Sequence, residues 1–314
     1  MQRRTCYSLL AFMLGLIQLV AAPWLVSIAF YEGGWHSLAL WLGVPLVIGS
    51  TVLALWRLSA EGVRKETTQF TVMTVRRPGL ARVGLIAAII GGLATLLIPH
   101  ALYIRDSANR VVNASNLCRL GIAMHDYHSQ HNHLPAQAIY GQDGRPLLSW
   151  RVAILPYLGE QRLYEEFHLD EPWYSEHNLT LLPQMPKVFR RPMDHRGGDS
   201  MSHYQVLVGP GATFEDSRPR TLGELSFADG PSNTILIADA YMPVPWTKPE
   251  DLPFDPNGAA PPLNWQPGSR SQFCFGDASA HAIRLPHNDH GLRVLRQLIT
   301  WNGGEIEDTS GIVD

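Results

Sequence analysis

Three apolar runs dominate the first third of the chain: from Cys6 to Phe30, from Ser37 to Trp56 and from Val83 to Tyr103, none containing Lys, Arg, Asp or Glu. Each is about 20 residues or longer, enough helix to cross a hydrocarbon core of about 30 Å. Arg3 and Arg4 precede the first run. Arg57, Arg64, Lys65, Arg76, Arg77 and Arg82 crowd the segment between the second and third, while the 31–36 link carries only Glu32. The positive-inside bias makes the N-terminus and the 57–82 loop cytoplasmic, and three crossings then put everything after Tyr103 outside. A cleaved signal peptide competes for the first run. Its apolar stretch passes Pro23 and Trp24 without a polar break, longer than the roughly 7–15 residues of a signal core, so an uncleaved helix is expected. The organisation that follows is a two-span anchor over 1–82 with a basic cytoplasmic loop at 57–82, a third span continuing as an amphipathic helix over 83–131, and an extracytoplasmic domain over 105–314.

Charge divides the chain in the same way. Residues 105–314 hold 17 Lys and Arg against 25 Asp and Glu, a balance of −8. An acidic exterior has no electrostatic footprint for nucleic acid, so the expected partner is the lipid bilayer. Of the three cysteines, Cys6 lies at the membrane. Cys118 and Cys274 are 156 positions apart and need a specific geometry to bridge. Buried free thiols are the simpler expectation.

Beyond the third run, Leu117, Leu120, Met124 and Tyr127 recur three or four apart, with Asn116, Arg119, Asp126 and Gln130 between them. This predicts one apolar stripe on an otherwise wet helix, continuous from residue 83 to 131 over roughly 70 Å and stopped by Leu134-Pro135. The stretch from Ser149 to Leu158 reads as a strand or short helix, and that from Gly159 to Phe167 as a helical turn. Strands are expected from Tyr204 to Val208, Thr234 to Ala238 and Phe273 to Ile283. Eight prolines between Pro243 and Pro267 predict a loop without regular elements, and a last amphipathic helix runs from Gly291 to Thr300. The fold class is α+β: a helical membrane region, then a long helix packed on an antiparallel sheet with long loops.

The residues most suggestive of chemistry are His125, His128, His131 and His133. On a helix, 125 and 128 share a face, but a third zinc ligand and a dedicated motif such as H-E-x-x-H are missing. Asp229 opens a Gly-Pro-Ser-Asn-Thr turn, where side-chain to backbone capping is preferred to an oxygen-ligand calcium loop. Glu165, Glu166, Asp170 and Glu171 read as a solvated acidic face. There is no nucleophile elbow, phosphate-binding loop or dinucleotide fingerprint, so no cofactor and no enzymatic activity is expected. His125, His128, Asp229 and Asp277 remain as weak metal candidates.

Several short stretches, taken together, resemble a bacterial family with a domain of unknown function (number 1559) associated with prepilin-type N-termini. They include Asn116-Leu117, the helix end with His125, Tyr127 and His128, Leu134-Pro135, Trp150, and Trp173 in Asp-Glu-Pro-Trp. Further on come Asp229-Gly230 with Ser232-Asn233-Thr234, then Trp246, Pro249 and Asp251, then Asp277, and last Asn302-Gly303-Gly304. In order and spacing they cover roughly residues 108–306. This chain departs from the family in three places. It lacks the prepilin cleavage segment and puts two extra spans ahead of the long helix. The family's late histidine motif is degraded, with Gln266-Pro267-Gly268 in its place and Ala278 after Asp277. Arg191 stands at a family cysteine. The resemblance implies a pseudopilin-like helix, half in the membrane and packed on an antiparallel sheet, in the bacterial inner membrane. It implies no activity. The expected function is therefore a non-enzymatic structural or interaction module that contacts envelope or secretion components. The alternative is an extracytoplasmic sensor of a small ligand or ion, and behind it a hydrolase or metalloenzyme built on the four candidate residues.

Overall fold

A single helix, α1 (Pro78–His131), leads into the rest of the described structure. The structure is a computed structural model describing residues 78–192, 198–215, 218–263, 271–284 and 288–303, with backbone alone for 78–100 and 102. The chain forms two compact units, residues 1–107 and 108–314. The runs from Cys6 to Phe30 and from Ser37 to Trp56, and the basic loop through residue 77, lie outside the described residues. The run from Val83 to Tyr103 is placed as helical backbone. Among the described residues no helix is long and apolar enough to cross a membrane.

In the second unit, α1 stops three residues before the predicted breaker. Asn132 takes a left-handed φ of 62°, and its N–H donates to the His128 carbonyl at 2.7 Å, the usual way a helix end satisfies its last carbonyls. A small hairpin follows, β1 (Ala138–Tyr140) with β2 (Pro146–Ser149). The stretch read as strand or short helix is helical. Ser149 caps α2 (Trp150–Ala153) by accepting from the Arg151 N–H, and a 3-10 turn over Leu155–Leu158 ends at Gly159, φ 81°. Short helices α3 (Gln161–Glu166) and α4 (Glu176–Leu181) complete this region.

The main sheet contains β3 (Met201–Val208), β4 (Ile235–Pro245), β5 (Leu252–Pro253), β6 (Ser271–Phe275) and β7 (Ala280–Ile283), in the order β5-β3-β4-β6-β7. Pairings are antiparallel except β3 with β5, where Leu207 meets Leu252 in parallel. The expected antiparallel sheet is thus mixed. After β4 the chain crosses over through Trp246–Asp251 and lays β5 on the far edge of β3. The proline-rich segment was expected to be without regular elements. It instead contains the end of β4 and the whole of β5; the register shifts between Ser202 and Tyr204, and Pro243 falls in the bulged stretch, where a missing N–H is tolerated.

Strand alternation gives the sheet two apolar faces. Tyr204, Val206, Leu236 and Cys274 face Leu117, Leu120, Ala123 and Met124 of α1. Leu207, Ala238, Phe273 and Phe275 face Val294, Leu295, Leu298 and Ile299 of α6 (Asp289–Ile299). A further short helix, α5 (Leu222–Phe227), opens with a Thr221–Glu224 capping box. The second unit is therefore three layers, helix on sheet on helix.

Candidate functional site

The histidines on the last turns of α1, and His133 just beyond its end, each reach different partners. His125 Nε2 donates to the Gly276 carbonyl at 2.8 Å, in the turn between β6 and β7. His128 works the other way, its Nε2 accepting the Leu222 N–H at 3.2 Å in the first turn of α5. That nitrogen must be unprotonated, and burial, with the neighbouring His125 and His133, lowers its pKa. His131 stacks on Tyr127 at 4.1 Å and bonds the Tyr157 hydroxyl, while His133 Nδ1 donates to the Leu134 carbonyl. Among the described residues no group of three or more His, Cys, Asp or Glu is placed to hold a metal ion.

Asp229 and Asp277 head two turns that abut. Asp229 Oδ2 accepts the Gly303 N–H at 2.7 Å, and Asn233 Nδ2 donates to the Asp229 carbonyl at 2.9 Å. Gly230, at φ 91°, makes the bend, Ser232 lies in the 3-10 turn that follows, and Thr234 Oγ1 closes back on the Gly230 carbonyl. Asp277 Oδ1 accepts from both the N–H and the hydroxyl of Ser279. Its own N–H donates to the Pro231 carbonyl, and the Gly276 N–H to that of Thr234. A Cβ on Gly276 would lie 2.8 Å from the Pro231 oxygen, so only glycine lets the turns touch. Motif residues from three distant stretches thus meet in one cluster, with His125 tying it to α1. Asn302 adjoins Gly303, while Gly304 and the segment 264–270 lie outside the described residues.

The second unit also holds two enclosed charge centres, and the sequence reading singled out neither pair. Arg151 Nη2 is 2.9 Å from Asp251 Oδ1, with side-chain exposures of 0% and 3%. Arg151 Nε and Nη2 donate to the Tyr204 carbonyl, and Nη1 to Ser149 Oγ. The same Asp251 oxygen accepts from Trp150 Nε1 at 3.2 Å and the Val206 N–H at 3.0 Å. Burial disfavours both charges, lifting the carboxyl and lowering the guanidinium, and their mutual contact opposes that. Trp246 seals the region: its Nε1 donates to the Leu182 carbonyl and its ring stacks on Phe189. Lys248, one residue before Pro249, lies over the Trp173 ring. Pro135, two residues after His133, is buried.

The second centre joins α1 to the sheet. Asn113 Nδ2 donates to Asp239 Oδ2 at 3.1 Å and to Gln272 Oε1 at 2.6 Å, and its oxygen accepts from the Tyr204 hydroxyl. Asn116, expected on the wet side, is buried and donates to the Tyr204 oxygen and the Arg190 carbonyl. Arg191 Nη1 is 2.9 Å from Asp239 Oδ1, so the residue at the family's cysteine position supplies a counter-charge. Burial pushes the Tyr204 phenol far above its usual range and lifts Asp239, against the pull of Arg191. Cys118 and Cys274 are both free thiols.

The signal for these centres was present in the sequence as charges inside apolar runs: Arg151 between Trp150 and Val152, and Asp239 in Ile-Ala-Asp-Ala-Tyr. Arg and Asp at such positions are almost never buried unless paired. Chemically, both carboxylates are enclosed and hydrogen-bonded, an arrangement that fixes strands and helix in register.

Residues 104–311 match the family model described as a protein of unknown function, DUF1559. No curated protein and no solved structure matches the chain. The match takes in α1 from Ile104, the whole sheet, both charge centres and the turn cluster, about two thirds of the sequence, and the chain belongs to this DUF1559 family.

Proposed function

We propose that this protein is a membrane-anchored extracytoplasmic module, structural or adaptor in kind rather than enzymatic, related to pseudopilins and contacting other envelope or secretion components. The observation that carries the reading is where its polar side chains are engaged. His125, His128 and Asp229 each hold backbone of a neighbouring segment, Asp277 braces its own turn, and Arg151 pairs with Asp251 and Arg191 with Asp239. Such residues set the shape of a domain that presents surfaces. The three apolar runs and the basic 57–82 segment support an inner-membrane anchor with the N-terminus cytoplasmic and residues 105–314 outside.

Topology reporters test the anchor. Fusions after residue 70 are expected to read cytoplasmic and fusions after residue 200 external; the reverse pattern overturns the reading. Activity is tested by elemental analysis of the purified full-length protein. Stoichiometric zinc or another transition metal would shift the assignment to a metalloenzyme or metal sensor.

A further inference from the structure

The face of α1 turned away from the sheet has a pattern of its own. Ala108, Val111, Ser115, Cys118 and Ile122 follow one another at alternating steps of three and four residues, the spacing of a coiled-coil seam. At about 100° per residue they lie opposite Asn113, Leu117, Leu120 and Met124, which face the sheet and are buried. Ala108 and Ser115 are exposed, and Val111 and Ile122 expose 70% and 53% of their surface to solvent. In the sequence the same spacing runs back through Ile104, Ala101, Leu97, Ala94, Ile90, Ala87 and Val83. Large aliphatic and small residues alternate from Val83 to Ser115. No position of the seam is charged, whereas Arg105, Asp106, Arg110, Arg119 and Asp126 all stand off it.

Of the positions from Ala108 to Ile122 only Cys118 is half-buried, on the side of Cys274 in β6; packing on the sheet does not demand the other four positions, because the sheet uses the other face. We propose that the seam is a homodimer interface, in which α1 of a second copy of this chain packs alongside in parallel and in register. The alternation is what selects a second copy. In a parallel in-register pair large layers meet large and small meet small, and the small layers let two backbones approach closely. A strict 3.5-residue repeat also gives the left-handed crossing such a pair needs. The parallel orientation rests on the membrane reading; the seam itself does not.

Disulfide trapping in the full-length chain in its membrane tests this. In a Cys6→Ser, Cys118→Ser background, Cys274 remains buried at 0% exposure. Ala108→Cys and Val111→Cys should then give a species of twice the chain mass on mild oxidation. The yield should exceed that of Arg110→Cys, about 100° round from Val111, by about tenfold. Equal yields at all three positions, no dimer at 108 and 111, or an adduct of another mass would overturn the proposal. Ala108→Phe checks the same seam without a crosslink. It fills a small layer on an exposed surface, and should convert the detergent-solubilised full-length chain from dimer to monomer by light scattering, with its melting temperature kept. A dimer that survives Ala108→Phe also overturns it. Topology fusions are read separately, so a failed orientation and a failed seam are distinguishable.

Discussion

Asp251 collects three donors on one oxygen, from Arg151, Trp150 and the Val206 backbone, and is the position where a single change leaves most behind. Asp251→Ala strands a fully enclosed guanidinium and frees the Val206 N–H. Removing one partner of a buried pair costs about 3–5 kcal/mol, and urea unfolding should show a loss of that order; a loss below about 1 kcal/mol would mean water reaches Arg151. His128 makes a different prediction, one about pH. Its folded pKa is lowered, chiefly by burial and then by His125 and His133. Near pH 6.5 the unfolded chain therefore binds more protons than the folded one. The contribution is complete above the ordinary histidine pKa and is lost as pH falls through it toward the lowered value. Protonation also removes the acceptor for Leu222 N–H. His128→Gln keeps an acceptor without the titration, so its stability should fall less than that of the parent between pH 7 and pH 5. Parallel curves would assign the slope to other groups.

At the scale of elements, local period was legible and pairing was not. The stripe Leu117, Leu120, Met124 showed where α1 meets the sheet, and strand alternation located parts of β3 and β4. Amphipathic spacing found α6 to within two residues at its start. The two-residue β5 has no period to read, and its parallel pairing depends on a crossover that local propensity does not encode. The Asp229 turn was legible, whereas Asp277 fell inside the strand expected from Phe273 to Ile283, a stretch that is instead the end of β6, a turn and β7. Contact between the two turns depends on Gly276 lying against Pro231, a tertiary relation. Gly121 carries a similar hidden constraint. Mid-helix, glycine is worse than alanine by about 1 kcal/mol, so a reading by propensity favours Gly121→Ala. A Cβ there would meet Cys274 Sγ at 2.6 Å and Ala278 Cα at 2.9 Å, one a buried sulfur and the other backbone. Overpacking of this kind costs about 1–3 kcal/mol, enough to outweigh the propensity gain. Gly121→Ala should lower the melting temperature, and a rise would show that helix and sheet can move apart at this point.

Across the whole three-layer unit, the polar contacts of α1 decide how far along the helix cooperativity extends. Leu117, Leu120 and Met124 bury apolar area against the sheet, and His125 fastens the same turns to Gly276. Nearer the N-terminal end of the contact, attachment rests on Asn113 and Asn116, which reach Asp239, Gln272 and Tyr204. Val111 and Val112, immediately before, are exposed. Buried polar pairs of this type contribute register more than net stability, because an offset helix would strand Asp239, Gln272 and the Tyr204 hydroxyl without partners. Native-state hydrogen exchange separates the two contributions. In the parent, amides from 117 to 125 should exchange only with global unfolding, together with those of β4 and β6. Asn113→Ala should make the amides from 113 to 116 exchange by a local opening of lower free energy, while 117 to 125 stay with the global event. If protection instead falls equally along the helix and the sheet, the asparagines belong to the same cooperative unit as the apolar stripe, and register is set by packing alone.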